Sequence, residues 1–333
     1  MSGAALEELS AETLEQRVHA DATLRVRRER LRVGGRVGVV RKHAAGRTHP
    51  GTPVVLVHGF AQNRYTWHTS RRSFSAWLAG EGFDTWNMDL PGHGASRGSG
   101  SEDMDAYVQS VVDVVHAAER ATGRAPFLIG HSLGGAVTYA AATRTRVRGV
   151  VGIGALFRFA AANPAIRALC HLTEAVRLGP LGALNVRTRL AGRLLARLYS
   201  LSDVAGYTLP VSGWAPGSFE EEVLAERLER GFDWTSANVW FEMARWGARG
   251  RFPHEDAWAT TDVPLLVTAG DLDHLALPAE ARLAHDLSGS GDRTWHAFDL
   301  ETTGHRWGHL DLVLGRHAPA HVWPVLRDWM AAR

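Results

Sequence analysis

From Pro53 onward the chain repeats one pattern. Short, largely apolar runs, Val54–Val57, Phe83–Leu90, Phe127–Gly130, Val150–Ile153 and Leu265–Ala269, are each followed by a Gly-rich turn and a helical stretch. A strand buried on both faces reads this way, because neither face can carry polar side chains. Alternation of such strands with helices predicts an α/β fold, a mostly parallel sheet flanked by helices. Ligands in these sheets bind beyond the carboxyl ends of the strands, so the loops after each run are where chemistry is expected.

Outside that rhythm the pattern changes twice. Leu6, Leu9, Leu14 and Val18 recur at roughly helical spacing, which predicts an N-terminal helical extension over 1–23. Leu24–Val33 and Val37–Val40 then flank Gly34-Gly35 and predict a β-hairpin. Between about Arg158 and Arg251 the strand pattern stops in favour of a Leu/Ala/Arg-rich stretch of helical period with Trp214, Trp234, Trp240 and Trp246. It predicts a helical cap over 158–251 inserted into a core of 1–157 and 252–333, with those tryptophans first of all as helical core. After Asp262-Val263-Pro264 the rhythm resumes, with a last strand over Arg293–Leu300 and a closing helix from about Ala318 to Arg333.

Composition narrows the function classes. A content of 45% hydrophobic and 22% charged residues is that of an ordinary soluble globular protein. The formal charge of +2, without a dense basic block, gives no reason to expect nucleic acid or an acidic membrane surface as partner. Of the 37 basic side chains only Lys42 is a lysine. The lone cysteine, Cys170, cannot form an intramolecular disulfide. The acidic N-terminus is no signal peptide and no run approaches a membrane span, so the expected location is cytoplasmic. Nothing in the pattern indicates an oligomeric state.

The sharpest motif is Phe127-Leu128-Ile129-Gly130-His131-Ser132-Leu133-Gly134-Gly135, a strand, a Gly-x-Ser-x-Gly turn and an Ala-rich helix. A nucleophile on so tight a turn needs glycine two residues before and after it, and the helix behind it favours negative charge. A serine hydroxyl is unreactive alone and needs a base and an orienting acid. Two histidines, His305 and His309, lie between the last strand and the final helix, and Asp271 and Asp273 lie on the loop after Leu265–Ala269. His305, His309 and Asp311 could also be read as a metal cluster, but Gly304 and Gly308 disfavour the helix that such spacing needs. His131, Trp67 and Trp214 are candidate pocket residues.

With serine, acid and histidine in that order, the chain resembles the α/β-hydrolase superfamily from about residue 24 to the end. Asp89-Leu90-Pro91-Gly92-His93-Gly94-Ala95-Ser96 is similar to a turn that many members carry. Asn63–His68, Trp86–Leu90 and Gly308–Gly315 most resemble lipase and esterase members. Polyhydroxyalkanoate synthases use cysteine at the elbow, and haloalkane dehalogenases and epoxide hydrolases use aspartate, so Ser132 separates the chain from all three. The resemblance implies Ser132 as nucleophile, His309 ahead of His305 as base, and Asp273 ahead of Asp271 as acid. It implies backbone N–H groups of Phe60 and Leu133 as oxyanion donors. The implied activity is hydrolysis of a carboxylic ester, a small molecule of hydrophobic character, without metal or organic cofactor. The alternatives are an acyltransferase or thioesterase using the same groups, or a binding protein that kept the fold without catalysis.

Overall fold

The structure, a computed structural model, describes residues 4–47, 49–175, 185–187 and 213–333. A nine-stranded sheet runs in the order β1-β2-β3-β5-β4-β6-β7-β10-β11. The five central strands, β4 (Pro53–Val57), β5 (Asp84–Met88), β6 (Phe127–His131), β7 (Gly149–Ile153) and β10 (Leu265–Gly270), are buried at every position, as the largely apolar runs of four of them require, while β5 buries Asp84, Thr85 and Asn87 as well. They pair in parallel, and β11 (Arg293–Phe298) continues the parallel order at one edge. Helices α1 (Phe74–Gly80), α2 (Met104–Thr122), α3 (Leu133–Ala142), α7 (Pro278–Asp286) and α8 (Ala318–Ala331) belong to this core. Two apolar clusters divide the interior, with Val55, Val57 and Leu128 in one and Val54, Leu56 and Ile129 in the other. Alternate residues of the same strands thus serve opposite faces of the sheet.

The N-terminal extension corrects the helical expectation. Leu6–His19 forms β1, which pairs antiparallel with β2 (Ala22–Val33), and β2 pairs with β3 (Val37–Ala44) as the Gly34-Gly35 hairpin predicts. Leu14, Gln16 and Val18 point inward at a period of two, whereas Leu6 and Leu9 stay exposed. Leu, Glu and Ala favour a helix locally, but the charges of the two segments match across the ladder. Glu7 faces Arg32, Glu12 faces Arg28 and Glu15 faces Arg25, with Glu12 and Arg28 2.6 Å apart. Cross-strand pairing overrides propensity here.

Between β7 and β10 the described chain forms α4 (Pro164–Ala175), α5 (Glu221–Arg230) and α6 (Ala237–Arg249). It also forms an antiparallel ribbon of β8 (Asn185–Arg187) and β9 (Trp234–Ser236), which the helical period did not predict. Trp214 and Trp246 are buried. The remaining cap residues, 176–184 and 188–212, lie outside the described residues, as does the side chain of Trp234. No helix among the described residues is long and apolar enough to cross a membrane.

Candidate active site

Ser132 stands between the end of β6 and the start of α3, at φ 57 and ψ −127. A left-handed φ is costly for a side chain other than glycine and persists only where the surroundings fix it. They do so through hydrogen bonds. Ser132 donates its N–H to Ile153 O at 3.2 Å, and its carbonyl accepts from Gly135 N and Leu156 N at 2.9 and 3.0 Å. The two flanking glycines are steric necessities. A Cβ on Gly130 would collide with the backbone of Gly134 and Gly135, and one on Gly134 with the carbonyls of Val57 and His58. The helix is thereby pressed against the loop that follows β4. There Gly59 lies so close that its Cβ would sit 2.8 Å from Ser132 Cβ. Phe60 follows on that loop, half-buried, its ring 6.3 Å from that of Trp240 on α6. Leu133 is the first residue of α3, where backbone N–H groups have no partner within the helix.

The loop after β10 carries the two aspartates, and the structure sends them to different places. Asp273 is buried, and its Oδ1 accepts from Leu275 N at 2.9 Å and Ala276 N at 2.8 Å, while its Oδ2 lies 2.7 Å from His309 Nδ1. Asp271 instead accepts from Trp307 N at 2.8 Å and Arg306 Nη1 at 3.0 Å. It ties the acid loop to the histidine loop without touching an imidazole.

His309 is buried, and its Nδ1–H donates to Asp273, which leaves the lone pair on Nε2. That Nε2 is buried without a hydrogen-bond partner among the described residues, so it is not bonded to the Ser132 hydroxyl in this state. Such distances often close only when substrate is bound. His131 Nε2 donates to the His309 carbonyl at 3.0 Å, with the two rings 4.4 Å apart. Burial first, and then the nearby His309, push the His131 pKa well below its ordinary value, so its ring is neutral. His305 lies elsewhere, half-buried and stacked on His317 with ring centroids 3.5 Å apart. Trp67 is buried with its ring edge-on to His131 at 6.4 Å, and the Trp214 backbone packs against Gly308. Among the described residues no group of three or more His, Cys, Asp or Glu side chains could hold a metal ion.

Two site residues escape sequence reasoning. Gly154, directly after β7, is at φ +48, and a Cβ there would lie 2.8 Å from Asp273 Oδ2 and 3.2 Å from His309 Nδ1. Its only signal is a glycine at the end of an apolar run. Arg227 is a buried cation of α5 beside the Phe60 loop, and the helical period of its segment does not distinguish it from its neighbours. Asp311 accepts from Gly308 N at 2.6 Å, Ala215 N at 2.9 Å and Ser218 Oγ at 2.7 Å. Burial outweighs these bonds and pushes its carboxyl up to about 7. Leu310 N donates to Gly213 O at 2.7 Å, so the histidine loop and the 213–218 segment are stitched together.

The profile of the alpha/beta hydrolase family matches residues 54–320. A curated relative, the (E)-2-((N-methylformamido)methylene)succinate hydrolase of Acinetobacter baylyi, is 24% identical over 227 residues, 67% of this chain and 73% of that protein. A soluble variant of monoglyceride lipase from Saccharomyces cerevisiae superposes with a TM-score of 0.66 at 15% identity, covering 98% of this chain and 96% of that one. The monoacylglycerol lipase of Paleococcus ferrophilus superposes with a TM-score of 0.58 at 19% identity, covering 89% and 98%. At these identities the superpositions speak for the fold.

Proposed function

The chain belongs to the alpha/beta hydrolase family, and from that premise we propose that it is a serine hydrolase that cleaves a carboxylic ester through an acyl-enzyme. Ser132 Oγ attacks the ester carbonyl and passes its proton to His309 Nε2. Asp273 holds the His309 tautomer that leaves Nε2 free, and stabilises the imidazolium that forms. The N–H groups of Phe60 and Leu133 receive the negative oxygen. The tetrahedral adduct collapses, the ester C–O bond breaks, and the alkoxide leaves with the proton from His309. Water then attacks the acyl-Ser132 carbonyl, gives a proton to the same nitrogen, and releases the acid as Ser132 recovers its hydrogen.

One observation carries this reading. The buried Asp273–His309 pair at 2.7 Å packs on Gly154, whose neighbour Ile153 accepts the Ser132 N–H. The names of the two lipases are those of ester-cleaving enzymes, whereas the curated relative's name denotes hydrolysis of a formamide. We assign the substrate a hydrophobic acyl or alcohol part, because the region of 158–251 proposed as the cap is rich in leucine, alanine and tryptophan.

Turnover of nitrophenyl esters of increasing acyl length tests both statements. Wild type is expected to prefer some chain lengths, Ser132→Ala and His309→Ala to lose turnover by about 10⁴ or more, and His305→Ala to retain it. Activity surviving in Ser132→Ala would end the proposal, retention in His309→Ala with loss in His305→Ala would move the base, and indifference to acyl length would remove the substrate assignment.

A further inference from the structure

Arg227 on α5 is only 2% exposed, yet no carboxylate among the described residues pairs with it. Its Nη2 donates to Gln62 Oε1 at 3.0 Å and Thr66 Oγ1 at 3.1 Å, and Thr66 Oγ1 donates to the same Gln62 oxygen at 2.9 Å. Its Nη1 is buried without a partner among the described residues. A buried cation is ordinarily paired because desolvating a lone charge is expensive. Other arginines of this chain follow that rule, Arg72 with Glu220 at 2.7 Å and Arg41 with Asp84 at 2.6 Å. Burial pushes the Arg227 pKa down to about 9, which leaves the side chain cationic at neutral pH.

The uncancelled charge lies beside the nucleophile's surroundings. Gln62 is two residues past Phe60, on the loop whose Gly59 packs on Ser132. That loop is tied to the α5–β9 segment again, by Asp233 N donating to Ala61 O at 2.9 Å and by Asn63 Nδ2 donating to Arg230 O at 2.9 Å. The field of Arg227 also reaches the buried imidazoles. Burial is the first cause of the low pKa of His58 and His131, but the Arg227 charge contributes to both.

We propose that Arg227 is an electrostatic positioning residue whose positive charge, unpaired among the described residues and held against the Phe60 loop, stabilises the negative oxygen that develops as Ser132 attacks. The proposal rests on the assignment of Ser132, His309 and the Phe60 and Leu133 amides made above. A charge fixed in a dry interior acts over a longer distance than one in water, and needs no reorganisation during the reaction.

The test compares kcat, KM and the melting temperature for wild type, Arg227→Lys, Arg227→Met and Gln62→Glu. Gln62→Glu places a carboxylate where the amide now accepts from the guanidinium, so it cancels the charge while keeping Arg227, and the melting temperature checks the fold. Arg227→Met and Gln62→Glu are expected to lower kcat by about tenfold or more at little change in KM. Arg227→Lys is expected to keep most of the wild-type kcat. A near-wild-type kcat in Gln62→Glu would overturn the proposal, as would losses in all three variants that simply follow melting temperature. Wild-type turnover in Ser132→Ala would instead overturn the underlying assignment.

Discussion

At the scale of single residues, two aspartates on one loop show how local bonding sets role. Asp273 has one oxygen held by two backbone N–H groups and the other by His309, whereas Asp271 is taken up by Trp307 N and Arg306. Asp273→Asn would turn an acceptor into a donor facing Nδ1 and favour the wrong tautomer. Its kcat is expected to fall by about 10⁴, and that of Asp271→Asn by no more than a few-fold, in steady-state assays on both variants. Equal losses would mean that the loop and not the Asp273–His309 bond is what matters. The Ser132 turn is legible in the sequence because Gly130 is demanded by contacts with Gly134 and Gly135 a few residues on, although Gly134 answers to Val57 and His58 after β4. The choices between Asp271 and Asp273, and between His305 and His309, are not legible from the residues alone, since they depend on how two loops distant in sequence meet. Gly154 and Arg227 are illegible for the same reason, as their partners come from other parts of the chain.

At the scale of elements, the buried strands were readable because burial on both faces leaves one kind of sequence. The first strand was not, because its leucine spacing and helix-forming residues describe the isolated segment, while its pairing is written in the arginines of β2. Lys42 marks how tightly these outer strands pack. Its ammonium is buried against Ser75 Oγ at 3.1 Å, with Ser73 Oγ and Gln16 Oε1 at 3.4 Å, and no acid among the described residues neutralises it. Burial, followed by the charges of Arg28 and Arg64, lowers its pKa to about 7. An unfolded lysine titrates near 10.4, so between about pH 7 and pH 10 the unfolded chain binds more protons and stability rises with pH. Lys42→Met is expected to lack this rise. Melting temperatures should therefore show wild type gaining on the variant from pH 7 to pH 10, and a difference that stays constant would contradict the buried charge.

At the scale of the whole molecule, the sheet supplies the strand ends that carry the proposed site, and the 158–251 insertion is proposed as a cap. Asp311 joins the 213–218 segment to the histidine loop, and Arg227 and Asp233 join α5 and β9 to the Phe60 loop. Each of the two proposed catalytic loops thus has a direct hydrogen-bonded tie to the inserted region, so that changes in the cap would reach both base and oxyanion donors. The fold and the order of serine, acid and histidine were visible in the sequence, but these ties were not, because they connect residues roughly 90 to 170 positions apart. The most direct measurement of the central claim is mass spectrometry of the protein after reaction with a fluorophosphonate, mapping the adduct by peptide. The account predicts one adduct per chain, on the peptide containing Ser132, abolished in Ser132→Ala and strongly slowed in His309→Ala. An adduct that persists in Ser132→Ala, or that maps to another residue, would contradict it.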